Sequence, residues 1–353
     1  MVAATQSRPR AGFVVSLGLA TLLLPWLVAC TESPPDTVRL SGATMGTRYH
    51  ITWLGSAEQP SPEQLHSGIE AVLEDVNASM STWREGSEIS RFNRSPAKEW
   101  FSLSQPFADV FAMARLVSEA SGGAYDVTVA PLVNLWGFGP EMGEEVPAAA
   151  DIAAALKNVG QGRLDFDPRG PALRKPGPMA LDFSSIAKGY GVDRVAEWLE
   201  AQGVQHYLVE IGGEIRVAGH SPRGEPWRIA IEKPSPDALR AVGRSVQETI
   251  ILTDAALATS GDYRNFFEVD GVRYSHTLDP RTGTPVRHEL VSVTVIHPSA
   301  TMADAWATAL TVLGAEAALA LAQKEQLAVY LVVREGGDFR SLVSPAMSAL
   351  IGV

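Results

Sequence analysis

The sequence holds a single cysteine, Cys30. With no second thiol there is no disulfide framework and no cysteine metal site to consider. Basic residues are also in deficit, since the formal net charge is −11. That argues against a nucleic-acid partner, because binding to a phosphate backbone rests on a basic patch. No G-x-x-x-x-G-K-[ST] loop occurs, and Gly189-Tyr190-Gly191 lacks the third glycine of a dinucleotide fingerprint. None of the seven histidines forms an H-E-x-x-H pair, which disfavours a zinc hydrolase. There is no internal repeat and no long Gly/Ser or Pro-rich linker, so one large domain or two merged lobes is expected after the N-terminal region.

What is present begins with that N-terminal region. Arg8 and Arg10 precede an apolar run over 12–28 that ends Leu27-Val28-Ala29-Cys30. The run is shorter than the ~20 apolar residues that span a bilayer, so it reads as a signal peptide and not as a membrane anchor. Its ending fits a lipoprotein signal, which makes Cys30 the lipidated first residue of the mature chain. The expected organisation is a signal peptide over 1–29, a polar tether over 30–37 and a folded domain over 38–353. The expected location is the bacterial cell envelope, on the periplasmic or extracytoplasmic face, with the chain held to the membrane by its lipid.

Hydrophobic periodicity predicts helices over 62–80, 107–120, 147–159, 185–201, 303–313 and 315–323. Strands are predicted over 44–53, 207–211, 215–218, 227–231, 248–253, 256–260, 265–269, 290–297 and 328–334. The turn Val269-Asp270-Gly271-Val272 suggests a hairpin. Strand runs interrupted by helices favour an α+β fold with mixed, largely antiparallel sheets and packed helices.

Several residues stand out chemically. In ADAWATAL (303–310) Asp304 and Thr308 are four apart, so on a helix they share a face and could hold an oxygen-loving cation such as magnesium. Asp304 could equally close a capping box begun at Thr301. In LDFSSIAKGYG (181–191) Asp182 or Ser184 could cap a helix. Alternatively Asp182 binds a polar ring or ribose, a carbonyl near Ser185 turns to a metal and Lys188 reaches phosphate. The glycine pair of EIGGEIRVAG (210–219) marks a tight turn or a close approach to a ligand. His276, in a polar loop before Asp279-Pro280-Arg281, is a candidate general base.

Eight blocks in order, ATMGT, MSTWREGSEISRFN, GGAYDVTVAPLVNLWGFG, LDFSSIAKGYG, EIGGEIRVAG, ATSGDYRNFF, YSHTLDPRTGTP and ADAWATAL, resemble the ApbE family of FAD:protein FMN transferases. The resemblance implies magnesium-dependent cleavage of FAD as substrate and transfer of its FMN half to a threonine or serine hydroxyl of an acceptor flavoprotein, with release of AMP. It implies an FAD site at Met45, Trp83, Ala124, Tyr125, Asp126, Asp182, Lys188 and Thr277, and a magnesium site at Ser185, through its carbonyl, with Asp304 and Thr308. His276 would take the hydroxyl proton and Lys188 would stabilise phosphate oxygens. The implied acceptor is a subunit of a membrane redox complex. Two positions depart from the family pattern: Trp83 stands where tyrosine is common, and Thr277 where an aliphatic residue is usual. The alternatives are a magnesium-dependent FAD pyrophosphatase, with water in place of the hydroxyl, and a non-catalytic flavin-binding lipoprotein.

Overall fold

Every strand ladder among the described residues is antiparallel. The structure is a computed structural model, and it describes residues 36–140, 145–232, 246–261, 266–269, 271–336 and 338–351. The first half of the chain supplies β1 (Thr37–Thr44), β2 (Thr47–Leu54), α1 (Pro62–Met80), α2 (Glu88–Arg94), β3 (Trp100–Ser102), α3 (Gln105–Ala120), α4 (Ala130–Leu135), α5 (Ala149–Leu156), β4 (Asp165–Asp167) and β5 (Ala172–Arg174). Then follow α6 (Ala187–Ala201), β6 (Tyr207–Ile211), β7 (Glu214–Ala218), β8 (Trp227–Glu232), β9 (Val246–Leu252), β10 (Ala255–Gly261), β11 (Phe266–Val269) and β12 (Val272–Ser275). The chain continues through β13 (Leu278–Asp279), β14 (Thr284–Pro285), β15 (Leu290–His297), α7 (Ala300–Leu313), α8 (Ala315–Lys324), β16 (Ala328–Glu335), β17 (Asp338–Val343) and α9 (Pro345–Ile351).

One eight-stranded sheet, ordered β1-β2-β6-β7-β10-β15-β16-β17, organises the rest. Side-chain alternation sorts its two faces. In β10, Ala256 and Ala258 pack beneath the helices, whereas Leu257 turns to the opposite face. On the helical side lie α1, α3, α6 and α7. On the other, the β8–β9 ribbon seals the sheet through Trp227, Ile229, Ile231 and Ile250, and α9 adds Met347. β15 is buried along nearly its whole length because it is covered on both faces.

Helix α1 forms where its periodicity predicts. Ser61 and Gln64 complete a reciprocal capping box at its start, and Leu65, Ile69, Leu73 and Val76 form its inward stripe. Other expectations need correction. The strand predicted over 44–53 is the second arm of a hairpin, joined to β1 by Met45 (φ 50°) and Gly46 (φ 72°). The capping box at Thr301 and Asp304 does not form. Helix α7 starts earlier, at Ala300, because Ser299 caps it by accepting the Met302 amide at 3.3 Å. Cys30, the signal over 1–29, most of the tether and Asp270 lie outside the described residues; the tether's last residue, Thr37, already belongs to β1. No helix among the described residues is long and apolar enough to cross a membrane.

The contact that sets the site is the crossing of α6 and α7. A Cβ on Gly189 would stand 2.3 Å from the Ala300 carbonyl oxygen and 2.9 Å from Asp304 Cβ. Gly189→Ala should therefore force the helices apart and destabilise the protein by about 1–3 kcal/mol. Thermal unfolding of the variant checks this.

At the end of the β6–β7 hairpin away from its turn, His206 and His220 stack with ring centroids 3.8 Å apart, and His206 Nδ1 accepts the His220 amide at 3.2 Å. Burial first, and His220 second, hold the His206 imidazole below its ordinary value, while Asp254 pulls the other way. The unfolded chain thus binds this proton more readily than the folded one. The contribution to stability is complete above about pH 6.5 and is lost as pH falls toward the folded value. Melting temperatures between pH 7 and 5 should fall less steeply in His206→Gln than in the parent chain.

Candidate functional site

A cleft of about 1130 Å³ opens at the end of the sheet where the β6–β7 turn lies. Its volume is somewhat above the ~300–1,000 Å³ usual for small-molecule sites. The turn is Gly212-Gly213, at φ 64° and 109°, both in the region that favours glycine. A Cβ on Gly212 would lie 2.9 Å from Thr47 Cγ2 and 3.3 Å from Lys188 Cδ, so the glycine also makes room for the lysine.

The start of α6 carries the central group of charges. Lys188 Nζ stands 3.4 Å from Glu214 Oε1 and 3.6 Å from Asp304 Oδ2. Both acids are almost fully buried, and Lys188 keeps about a quarter of its side chain exposed at 26 %. Although burial works against its charge, Asp304 and then Glu214 hold the Lys188 ammonium well above the usual lysine range. Burial pushes the Glu214 carboxyl up, Asp304 adds to this, and Lys188 opposes it. Glu214 Oε2 is buried without a hydrogen-bond partner. Two carboxyls share one ammonium, so a formal charge of −1 arises only when Glu214 is ionised, a state that its burial opposes and a further cation would favour.

Asp304 also shapes the backbone next to it. The Gly189 amide, one of the first-turn donors of α6 that no intrahelical carbonyl accepts, is donated to Asp304 Oδ2 at 3.0 Å. The Ser185 carbonyl lies ahead of the Ile186 N-cap and takes no part in the α6 ladder. The Ser185 hydroxyl is occupied elsewhere, donating to Tyr125 Oη at 3.0 Å. Thr308, one turn along α7 from Asp304, lies on the same cleft with its Oγ1 3.3 Å from Ser260 Oγ. Among the described residues no group of three or more His, Cys, Asp or Glu side chains is placed to hold a metal ion. The oxygen donors of the cleft-lining Asp304, Thr308 and Ser185 are one carboxylate, one hydroxyl and one main-chain carbonyl outside the helix ladder. Such all-oxygen donors fit a hard divalent cation, and the neighbouring Glu214 leaves one buried oxygen without a hydrogen-bond partner.

The remaining predicted residues distribute unevenly. Trp83 stands at the rim, 62 % exposed, with its ring free to stack. Ala124, Tyr125, Asp126, Asp182, His276 and Thr277 all line the cleft. The Asp126 carboxylate is committed to its own loop, accepting from the Thr128 amide, the Thr128 hydroxyl and the Gln161 amide. Burial raises its pKa against the pull of those hydrogen bonds. Asp182 Oδ1 accepts the Ser184 amide at 2.7 Å and so folds the turn ahead of α6. The helix cap itself comes from Asp304, not from Asp182 or Ser184, since Ile186 at the N-cap makes no side-chain cap. Met45 does not line the cleft. Its side chain turns inward, its Cε 2.7 Å from where a Gly191 Cβ would lie.

Sequence reasoning missed five residues of the cleft. Glu214 directly follows the glycine pair, but its pairing with Lys188 depends on a long-range contact. His50 Nδ1 meets Glu210 Oε2 at 2.6 Å across the β2–β6 ladder, a pairing that only the register reveals. Phe138 and Phe267 provide an aromatic wall, with Phe138 edge-on to His276 at 6.4 Å.

Lys175 secures the irregular segment that presents Asp182. It is 2 % exposed, and its Nζ donates to the carbonyls of Phe92, Asn93 and Met179 at 3.0, 2.8 and 3.1 Å. Asn93 completes the clamp by bonding both the amide and the carbonyl of Leu181. Lys175→Met would leave the three carbonyls without this donor and should lower stability by about 2–4 kcal/mol, measurable by denaturant unfolding.

The sequence profile of the ApbE family matches residues 45–331. The FAD:protein FMN transferase of Vibrio cholerae is 45 % identical over 337 residues, covering 95 % of this chain and 98 % of that protein. The FAD:protein FMN transferase of Haemophilus influenzae is 44 % identical over 340 residues, covering 94 % and 97 %. Among solved structures, the apo Pseudomonas stutzeri flavinyl transferase ApbE superposes with a TM-score of 0.83 at 44 % identity, covering 90 % of this chain and 98 % of that one. These matches run through the sheet, the α6–α7 crossing and the cleft between them, and the chain belongs to the ApbE family.

Proposed function

We propose that this chain transfers the FMN half of FAD to a threonine or serine hydroxyl of an acceptor flavoprotein, releasing AMP, with magnesium as its metal. The observation that carries this reading is that Asp304, Thr308, Ser185 and Lys188 line one cleft large enough for a dinucleotide. Asp304, Thr308 and the Ser185 carbonyl would hold the magnesium. When bound, it supplies charge neutralisation at the pyrophosphate.

The chain's own residues do the rest. Trp83 offers a stacking face at the rim, and Asp182 stands where it can bind a polar ring or ribose. Lys188 reaches the phosphate oxygens, and Glu214 keeps its ammonium from collapsing wholly onto Asp304. The acceptor hydroxyl oxygen attacks the phosphorus on the riboflavin side. As that oxygen–phosphorus bond forms, the bond from phosphorus to the AMP phosphate oxygen breaks. The hydroxyl proton passes to His276, and AMP departs with the electron pair of the broken bond. Lipid attachment at Cys30 would hold the enzyme at the envelope membrane, beside the redox complex whose subunit it modifies.

Incubation with FAD, magnesium and a folded acceptor domain should add the mass of FMN to the acceptor and release AMP in equal amount. Water as acceptor would yield free FMN and AMP instead, and intact, tightly bound FAD would point to a binding protein. Asp304→Ala should reduce transfer by about a hundredfold or more. It should also cost about 0.5–2 kcal/mol, because α6 loses its cap. Asp304→Asn keeps an acceptor for the Gly189 amide, so it should recover stability without recovering transfer. Near-normal turnover in either variant would overturn the metal assignment.

A further inference from the structure

Strand β10 is longer than the partner on one of its sides. Toward β15 it pairs from Ala256 through Gly261. Toward β7 it pairs only at Ala255, Ala256 and Leu257. Continuing the antiparallel register would place Ala258 opposite Glu214 and Thr259 opposite Gly213, where the chain has already turned back at Gly212-Gly213 into β6. Among the described residues, no main chain pairs with that side of β10 beyond Leu257.

This stretch faces the cleft edge-on. Thr259, Ser260 and Gly261 all line it. Successive side chains of a strand point to opposite faces, so a cavity touched by neighbours in a row runs along the strand's edge. Ser260 Oγ lies 3.3 Å from Thr308 Oγ1, which puts the unpaired edge beside the cation donors. None of the residues assigned to FAD falls on β10.

We propose that the acceptor's hydroxyl-bearing segment binds in extended form along Thr259–Gly261, adding a strand where β7 stops. The inference rests on the transferase reading and supplies its second substrate site. An added strand lies about 4.8 Å from its neighbour, so a residue opposite Ser260 would bring its side chain to the region that Thr308 and Asp304 face. Recognition through main-chain amides is the usual way a sheet edge takes an extended peptide, with side-chain selectivity limited to alternate positions. Such a site would accept different acceptor sequences provided that the segment is extended and carries a correctly placed hydroxyl.

The test uses the wild-type chain with FAD, magnesium and a short synthetic peptide bearing a central threonine among strand-forming residues. The same peptide is then made with one N-methyl group at a time. FMN should attach to the unmodified peptide. N-methylation of alternate amides should lower kcat/KM about tenfold, and the intervening positions should change it by less than about twofold. Hydrogen exchange at Thr259–Gly261 should slow when the flavinylated peptide is added, and not with FAD alone. Uniform tolerance of N-methylation would overturn the proposal, as would equal protection by FAD alone. So would a chain that modifies a folded domain carrying FMN on threonine in its mature form but ignores the peptide. If neither peptide nor folded domain receives FMN, the transferase reading itself fails, and this inference falls with it.

Discussion

Helices α6 and α7 exchange carboxylates, and the site is built on that exchange. Asp193 of α6 accepts from the Ala300 and Thr301 amides and from the Ser299 and Thr301 hydroxyls, closing the start of α7. Arg216 of β7 holds Asp193 from the other side at 3.0 Å. In return, Asp304 of α7 takes the Gly189 amide at the start of α6. Each helix therefore supplies the anion that the other's exposed amides require. Gly189 lets the two backbones approach closely enough for both bonds. The geometry fixes Lys188, Ser185, Asp304 and Thr308 relative to one another before any ligand arrives.

The electrostatics follow from this frame. A chain of net charge −11 has no global attraction for a pyrophosphate. Whatever anion it handles must be met locally, and Lys188 is already engaged by two acids. On the proposed reading the added cation relieves that excess of negative charge and presents a positive face to the phosphates. Affinity for the anion then depends on the metal rather than on the protein's overall field.

Much of the fold was legible because long amphipathic segments and strand runs leave clear periods. Helix α1 is the plainest case, with its cap, its proline and four inward residues all in register. Helix α2 escaped because seven residues cover less than two turns, too few for a period to emerge. The Thr301–Asp304 capping box matched by pattern and failed in space: Ser299 starts the helix, and Asp193, distant in sequence, takes the Thr301 hydroxyl. Asp304 and Thr308 could be named in advance since their spacing of four within a helix fixes a shared face, and Lys188 because it falls in the first turn of the helix that follows Asp182. Glu214, His50 and Glu210 could not, because their roles come from strand register and from contacts across the fold. Met45 stands on a turn at positive φ with its side chain packed toward Gly191, a direction that strand periodicity does not give.

The breadth of the cleft and the exposed ring of Trp83 at its rim bear on water. Removal of solvent from a reacting phosphate is commonly the work of a closing loop. Here the added strand of the second substrate would itself displace solvent from the β10 edge as it brought in the nucleophile. Protection of the reacting phosphorus and delivery of the hydroxyl would then be one event. The balance between productive transfer and wasteful hydrolysis would be governed by how long FAD waits, and so by the supply of acceptor rather than by any property of the enzyme alone.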